Sequence, residues 1–364
     1  MSGRRVWGAV AAGALGALAA TAVLSGCTSA KVATGPKVWV SARDGSQVVV
    51  IDPATNAETK RISVPGSPEG MALAPDAVWV SNVEGTKVWR IDKAKDEISA
   101  EVAVSGASQS GSASSSASAK PSASASTTTG SREVAALAYA DGKVYLVSPV
   151  SGMMTVIDAA QAQSVAQVPV GPGASGVVVQ GADVWITHRD QGVVTRNKID
   201  TGAQLVSLPV GGQPLGMVLD SGSLWVMNAG IKQVAKISTA TNTVAATVPT
   251  RSATAFGVMH GGMLWMTADD SLIKIDPSTA VAGDETRFGG INFGIASAGS
   301  TTVWVTDPIR NVVYRINPSR GFVQAKIGAG KGPVQVVTDA TDDAGAKTPA
   351  TPSGTVPVPS TGKA

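Results

Sequence analysis

The chain has 364 residues, 15% of them charged, with a formal net charge of +3 and one cysteine, Cys27. That length suits one large or two ordinary domains, and a single cysteine excludes an internal disulfide framework or a cysteine-based zinc site. If Arg4 and Arg5 leave with a leader, 27 basic residues face 26 acidic ones, too even a balance to hold nucleic acid by charge.

Residues 1–26 read as a lipoprotein signal peptide. Arg4-Arg5 is a basic n-region, Val6 to Leu24 is an apolar run broken only by small residues, and Leu24-Ser25-Gly26-Cys27 is a small-residue cleavage site. The run approaches the length of a membrane anchor, but its Ala and Gly make it only weakly apolar. Leu-Ser-Gly-Cys resembles a bacterial lipobox. The resemblance implies cleavage before Cys27 and lipidation of its sulfur. At ~0.8 kcal/mol per buried CH₂, two or three acyl chains anchor a protein where one does not. Arg4-Arg5 with Val6-Trp7 resembles a Tat leader, and an ordinary basic n-region fits equally well. Residues 27–36 then form a membrane tether, and the domain stands on the extracytoplasmic face of a bacterial membrane.

The rest of the chain is organised by a repeat. Val38-Trp39-Val40-Ser41 recurs as Val78-Trp79-Val80-Ser81, Val144-Tyr145-Leu146-Val147, Val184-Trp185-Ile186-Thr187, Leu224-Trp225-Val226-Met227, Leu264-Trp265-Met266-Thr267 and Val303-Trp304-Val305-Thr306. The aromatics stand 40 or 39 residues apart, except for a gap of 66 between 79 and 145 that contains a 26-residue Ser/Ala-rich run, 107–132. Without that insert the period is 40. Ser, Ala and Thr bury too little apolar area to order such a segment, so 107–132 is expected to be disordered.

Each unit parses into four short runs separated by Gly, Asn and Asp. In the fifth these are Met217-Val218-Leu219, Leu224 to Met227, Gln233 to Ile237 and Thr243 to Val248. Four strands per repeat make one propeller blade, and seven copies make seven blades. The expected fold is therefore all-β: a seven-bladed β-propeller over 37–338 with four antiparallel strands per blade. The first blade lacks an inner strand. Gly332 to Val337 is an inner strand without a blade, so the two should join and close the ring. Residues 339–364, rich in Thr and Pro, read as a disordered tail. The repeated aromatic is the expected plug between blades, worth roughly 4–6 kcal/mol at most if fully buried.

A second signature marks the turn between third and fourth strands: Ile51-Asp52-Pro53-Ala54-Thr55, Ile91-Asp92, Ile157-Asp158, Ile199-Asp200-Thr201, Ile275-Asp276-Pro277 and Ile316-Asn317-Pro318. A side-chain oxygen that accepts nearby backbone N–H groups explains it. Repetition argues against catalysis, since a catalytic acid is needed once.

Val49 to Thr55, Ile62 to Gly70 and Val78 to Asn82 together resemble the YVTN-type propeller repeat, over about 37–338 less the insert. More distantly the chain is similar to virginiamycin B lyase and gluconolactonase-type propellers, a resemblance that implies metal-assisted catalysis. Against it, the two histidines fall on opposite faces, His188 after a second strand and His260 in a first hairpin turn. Nucleophile-elbow, HExxH and P-loop motifs are missing from the sequence.

Loops before first strands and after second strands share one face, the expected ligand mouth. Its candidates are Glu69, Asn82, His188, Arg189, Asp190, Asn228, Asp269, Asp307 and Arg310, the most charged loop being His188-Arg189-Asp190. Carboxylate and amide oxygens of Glu69, Asn228 and Asp269 could hold Ca²⁺ or Mg²⁺, though solvated loop charges explain them as well. Leu215, Phe256 and Phe293 are expected where Glu69 stands in its own repeat, giving a partly apolar opening. The expectation is a monomeric, lipid-anchored binding or scaffold module of the cell envelope, without a catalytic set or required cofactor, contacting membrane through Cys27 and a protein or cell-wall ligand through the mouth. The alternatives are a divalent-metal lactonase or lyase and, less well matched to seven copies, a quinone-dependent dehydrogenase.

Overall fold

In the computed structural model the described residues are 35–104, 135–290 and 292–340. The leader, Cys27, residues 27–34 of the tether, the insert and the tail from 341 onward lie outside them.

Seven antiparallel sheets form the ring. Blade 1 is built from Pro333–Thr338, Val38–Ala42, Gln47–Asp52 and Ala57–Ser63, in that order from the inside outward. Blades 2 to 5 begin at Pro68, Ala136, Ala174 and Pro214, and blades 6 and 7 at Thr254 and Ile295; each runs four strands outward in chain order. The closure expected from the sequence is present. Val38, Trp39 and Val40 pair with Thr338, Val337 and Val336. The seal extends further than expected: Asp339, assigned above to the tail, accepts the Lys37 backbone N–H at 2.7 Å, and Ala340 packs into the same apolar cluster.

Second strands are buried along most or all of their length, as in Val38–Ala42 and Ala77–Asn82, because each is covered on both faces by neighbouring blades. Outer strands such as Ala57–Ser63 and Gln163–Pro169 are mostly open, with one buried residue next to their last. The repeated aromatics are between 0 and 4% exposed, and each plugs the next blade. Trp39 packs with Val78 and Val80, Trp79 with Val144 and Leu146, Tyr145 with Val184 and Ile186. Trp185 meets Leu224 and Val226, Trp225 meets Leu264 and Met266, and Trp265 meets Val303 and Val305. Trp304 returns to Val38 and Val40, completing the circle. Since a blade has no core of its own, the ring buries its apolar surface only as a whole.

The turn signature performs the expected task in most blades. Asp52 Oδ1 accepts from Ala54 N at 2.8 Å, Asp92 Oδ1 from Ala94 N at 2.9 Å, Asp158 Oδ1 from Gln161 N at 2.8 Å and Asp276 Oδ1 from Ser278 N at 2.8 Å. Four residues further on, the chain turns through the left-handed region in all seven blades, at Asn56, Asp96, Ala162, Gly202, Asn242, Ala280 and Gly321. Blade 4 corrects the expectation for Ile199-Asp200. Val184 pairs with Asn197, as Val38 pairs with Ile51. Lys198 therefore holds the place of Asp52, and Asp200 lies two residues beyond it. Lys198 points its ammonium at Asp183, 2.8 Å away. A second difference is in blade 6, where the outer strand is split into Val281–Ala282 and Thr286–Arg287 around Gly283 to Glu285.

Candidate functional site

The mouth is built by the ends of the second strands. Asn82, Ser148, His188, Asn228 and Asp307 occupy the last residue of theirs, and Ala42 and Ala268 hold that place in blades 1 and 6. The polar members are buried, and their side chains are spent on the loops that follow them. Asn82 Oδ1 accepts from Thr86 N and Lys87 N, both at 2.9 Å, while its Nδ2 donates to Glu84 Oε2. Asn228 Oδ1 accepts from Gln213 N, Gly230 N and Ile231 N, and its Nδ2 donates to Gly211 O at 2.7 Å. Asp307 Oδ1 accepts from Ile309 N and Arg310 N, and its Oδ2 takes Arg310 Nη1 at 3.0 Å and the Tyr314 hydroxyl at 3.3 Å. His188, 2% exposed, has Nδ1 2.9 Å from Pro172 O and Nε2 2.9 Å from Thr195 Oγ1. Burial pushes its imidazole below the ordinary range, against the pull of the Pro172 carbonyl. Buried polar groups must find partners or cost ~1–3 kcal/mol each, and here loop backbone supplies most of them, joined by the side chains of Glu84, Thr195, Arg310 and Tyr314.

Just inside the loops, Glu69 is fully buried and Arg43 Nη1 approaches its Oε2 to 3.1 Å. One layer deeper runs a set of hydroxyls. Ser41 Oγ donates to Glu69 O at 3.0 Å, Thr187 Oγ1 to Leu215 O at 2.9 Å, Thr267 Oγ1 to Phe293 O at 2.7 Å and Thr306 Oγ1 to Val334 O at 2.7 Å. Each clasp joins the second strand of one blade to the inner strand of the next or, at Phe293, to the segment that enters it. The hydroxyl that ends the repeated Val-Trp-Val-Ser/Thr motif was visible in the sequence, but nothing in one chain distinguishes a clasp from an ordinary strand residue.

The same register places Leu215 and Phe293 where Glu69 stands, as expected, but moves Phe256. Gly257 pairs with Met266 as Met71 pairs with Val80. Ala255 is therefore the counterpart of Glu69, and Phe256 holds the place of Gly70. Phe256 still reaches Phe293, edge to face with ring centroids 4.9 Å apart.

The remaining candidates do not converge. Arg189 donates to Gln213 Oε1 at 3.1 Å, Asp190 and Asp269 are exposed, and Arg310 leans on Asp307, whose hydrogen bond raises the guanidinium pKa further. The proposed cation set fails on its own geometry, because Glu69 faces Arg43 and the Asn228 oxygen is taken by three backbone amides. Among the described residues no three His, Cys, Asp or Glu side chains are grouped to hold a metal ion. His260 lies on the opposite face, its Nδ1 2.9 Å from Ser297 Oγ.

A further set of residues was missed by sequence reasoning. Opposite the tryptophan, on the third strand, stands a cation: Arg196 over Trp185 at 5.4 Å, Lys236 over Trp225 at 5.0 Å, Lys274 over Trp265 at 5.9 Å and Arg315 over Trp304 at 5.8 Å. Several reach on to the next blade's turn. Arg196 Nη1 donates to Thr239 O at 3.1 Å, Lys236 Nζ to Pro277 O at 2.8 Å and Arg315 Nη1 to Pro53 O at 2.7 Å, the last across the closing seam. The signal was the basic residue immediately before Asn197, Ile237, Ile275 and Ile316, legible only once strand register is known.

A family model described as "Domain of unknown function (DUF5074)" matches residues 131–348. No curated protein matches the chain. Among solved structures, a functionally unknown protein from Desulfotomaculum acetoxidans DSM 771 is similar over 85% of this chain and 100% of its own, with 13% identity and a TM-score of 0.68. Apo AztD from Citrobacter koseri is similar over 83% of this chain and 97% of its own, with 12% identity and a TM-score of 0.59. BamB from Moraxella catarrhalis is similar over 82% and 89%, with 14% identity and a TM-score of 0.52. At these identities the likeness is one of fold.

Proposed function

The chain belongs to the DUF5074 family, and we propose that it serves as a binding or scaffold propeller of the cell envelope, tethered by lipid on Cys27 and recognising a protein or cell-wall ligand through its mouth. The observation that carries the recognition reading is at the loop tips. The two most exposed large hydrophobic side chains among the described residues, Ile309 at 69% and Val150 at 64%, both stand on loops that follow second strands. Phe256 and Phe293 add a half-buried aromatic pair beside the inner strands. Apolar side chains held out to water on rigid loops suit a contact surface. Rigidity comes from the buried locks Asn82, Asn228 and Asp307, which are committed to backbone amides and thus poorly placed to act on a substrate.

The tether rests on Arg4-Arg5, the apolar run and Leu24-Ser25-Gly26-Cys27. Expression of the full chain in a bacterial host that processes lipoproteins tests both parts. Wild type should take up labelled palmitate and sediment with membranes, and Cys27→Ser should do neither. Cross-linking in cells should capture a partner with wild type and lose it in an Ile309→Asp, Val150→Asp double variant of unchanged melting temperature. Unlabelled wild type would remove the tether, and full retention of partners by the double variant would remove the mouth.

A further inference from the structure

The lock of blade 4 differs from its counterparts in one respect: its charge can change between neutrality and mild acid. Asn82, Asn228 and Asp307 hold their loops through an amide or carboxylate oxygen, whereas His188 works through both ring nitrogens. The Pro172 carbonyl can only accept, so Nδ1 carries the ring proton. Nε2 is then an acceptor and takes the hydrogen bond of the Thr195 hydroxyl. The ring is packed as well as bonded, since a Cβ at Gly171 would stand 3.3 Å from its Cε1. Three loops meet on it. Pro172 belongs to 170–173, the segment that enters blade 4. Gly171 N donates to Gly152 O at 3.1 Å and Gly173 N to Pro149 O at 3.2 Å, gripping the blade 3 loop on either side of Val150. Arg189 N donates to Gly173 O at 3.1 Å and ties the loop after His188 to the same segment.

A second proton on the ring upsets this arrangement twice. With Nε2 protonated, Thr195 Oγ1 has to accept instead of donate, and its own proton loses its acceptor at a residue only 3% exposed. The imidazolium itself is held where hydration cannot reach it. No charge on the packed elements compensates it. Arg189 donates to Gln213 Oε1, and Asp190 is exposed on the same loop. Asp183 pairs with Arg196 and Lys198 at the other end of the second and third strands. Segments 149–152, 170–173 and 210–213 contain no charged residue. Burial keeps the imidazole neutral below its ordinary range, so the change of charge falls on the acid side.

We propose that His188 is a proton-operated clasp of the mouth: neutral, it fixes loops 149–152, 170–173 and 189–192; charged, it leaves its socket and the three loosen together, while the loops locked by Asn82 and Asn228 stay fixed. The display of Val150 thereby becomes pH-dependent. The clasp rests on the ring's own hydrogen bonds and stands whether or not the loop tips bind a partner. Hydrogen exchange of the isotopically labelled full chain, followed by NMR between pH 7.5 and 4.5 and corrected for the intrinsic pH dependence of exchange, tests it. The reporters are the amides of Gly171, Gly173 and Arg189. The controls are the amides of Thr86 and Lys87, held by Asn82, and of Gly230 and Ile231, held by Asn228.

Protection of the three reporters should fall by at least about tenfold, the change expected one pH unit below the point where the clasp takes its proton, while the controls move less than about twofold. The midpoint should match the titration of the His188 Cε1 proton in the same sample. His188→Asn places in blade 4 the side chain that blades 2 and 5 use, and should hold the reporters at one level of protection throughout the range. Reporters that stay protected while His188 titrates, controls that loosen with them, an equal fall in His188→Asn, or a His188 ring that takes no proton above pH 4.5 overturns the assignment.

Discussion

Replacing Arg315 by Met removes the charge that fastens blade 7 to blade 1 while keeping an unbranched apolar stem. Arg315 is 4% exposed; its Nη1 reaches Pro53 O at 2.7 Å and Asn56 Oδ1 at 3.2 Å, and its guanidinium lies 5.8 Å from the Trp304 ring centroid. A hydrogen bond from a charged donor contributes about 1.5–3 kcal/mol, and a cation over an indole about 0.5–1 kcal/mol or more when desolvated. Relief of the buried charge's desolvation offsets part of this, so the net loss should be about 2–3 kcal/mol. The protein contains its own controls. Lys236 makes one such bond, to Pro277 O at 2.8 Å, and lies 5.0 Å from Trp225. Lys274 stands 5.9 Å from Trp265 without a carbonyl to reach among the described residues. Urea denaturation followed by tryptophan fluorescence should rank the losses Arg315→Met, then Lys236→Met, then Lys274→Met, the last at about 0.5–1 kcal/mol. An equal loss in Lys274→Met and Arg315→Met would show that the inter-blade bonds contribute nothing and would refute the reasoning.

Three further outcomes are expected. Because burial lowers the His188 pKa, the unfolded chain binds a proton that the folded ring resists; stability from this group is full above the ordinary imidazole range and falls as pH drops through it. His188→Gln should therefore lose less stability than wild type between about pH 7.5 and 5.5, and equal losses in denaturant titrations would contradict this. Gly70→Ala drives a Cβ into the Ala135 carbonyl oxygen and Ser81 Oγ at the seam of blades 2 and 3, and should cost at least ~2 kcal/mol, whereas Gly328→Ala, whose Cβ meets open space, should stay within about 0.5 kcal/mol of wild type; calorimetric unfolding compares them. Titrating Ca²⁺ or Mg²⁺ into the purified chain should give only heats of dilution, since the oxygens of Glu69 and Asn228 are already taken, and a saturable heat would restore the metal-dependent lactonase or lyase reading.

What could be read from the sequence divides along physical lines. A spacing survives any detail of side-chain contact, so the aromatic period, the number of blades and the ring closure were legible from positions 39 to 304 and from the unpaired Gly332 to Val337. Turn chemistry was legible where the residue acts on its own neighbours, as with Asp52 and Asp92. It misled at Ile199-Asp200, where a similar-looking pair is displaced by two residues and only pairing with Val184 and Asp183 reveals it. Phe256 was misplaced by one in the same way: blades 2, 5 and 6 carry the same bulge, and only the pairing of Gly257 with Met266 shows that Phe256 falls one residue after the Glu69 position. Of the mouth candidates, Asn82, His188, Asn228 and Asp307 end their second strands, a placement that the spacing of the repeat made legible. Their roles were hidden because an Asn or Asp that caps its own loop and one that awaits a ligand look alike in sequence. The cations over tryptophan and the hydroxyl clasps depend on contacts between strands and between blades, which no local pattern encodes.

Hydrogen exchange of Pro333–Thr338 measured against Val38–Ala42 addresses the closed ring most directly. If the chain's far end is the inner strand of blade 1, the paired amides of both segments exchange together and only as slowly as the ring unfolds as a whole. Exchange of the 333–338 amides at the rate of free peptide, while Val38–Ala42 stays protected, would mean an open ring and would undo the assignment of faces on which the mouth depends.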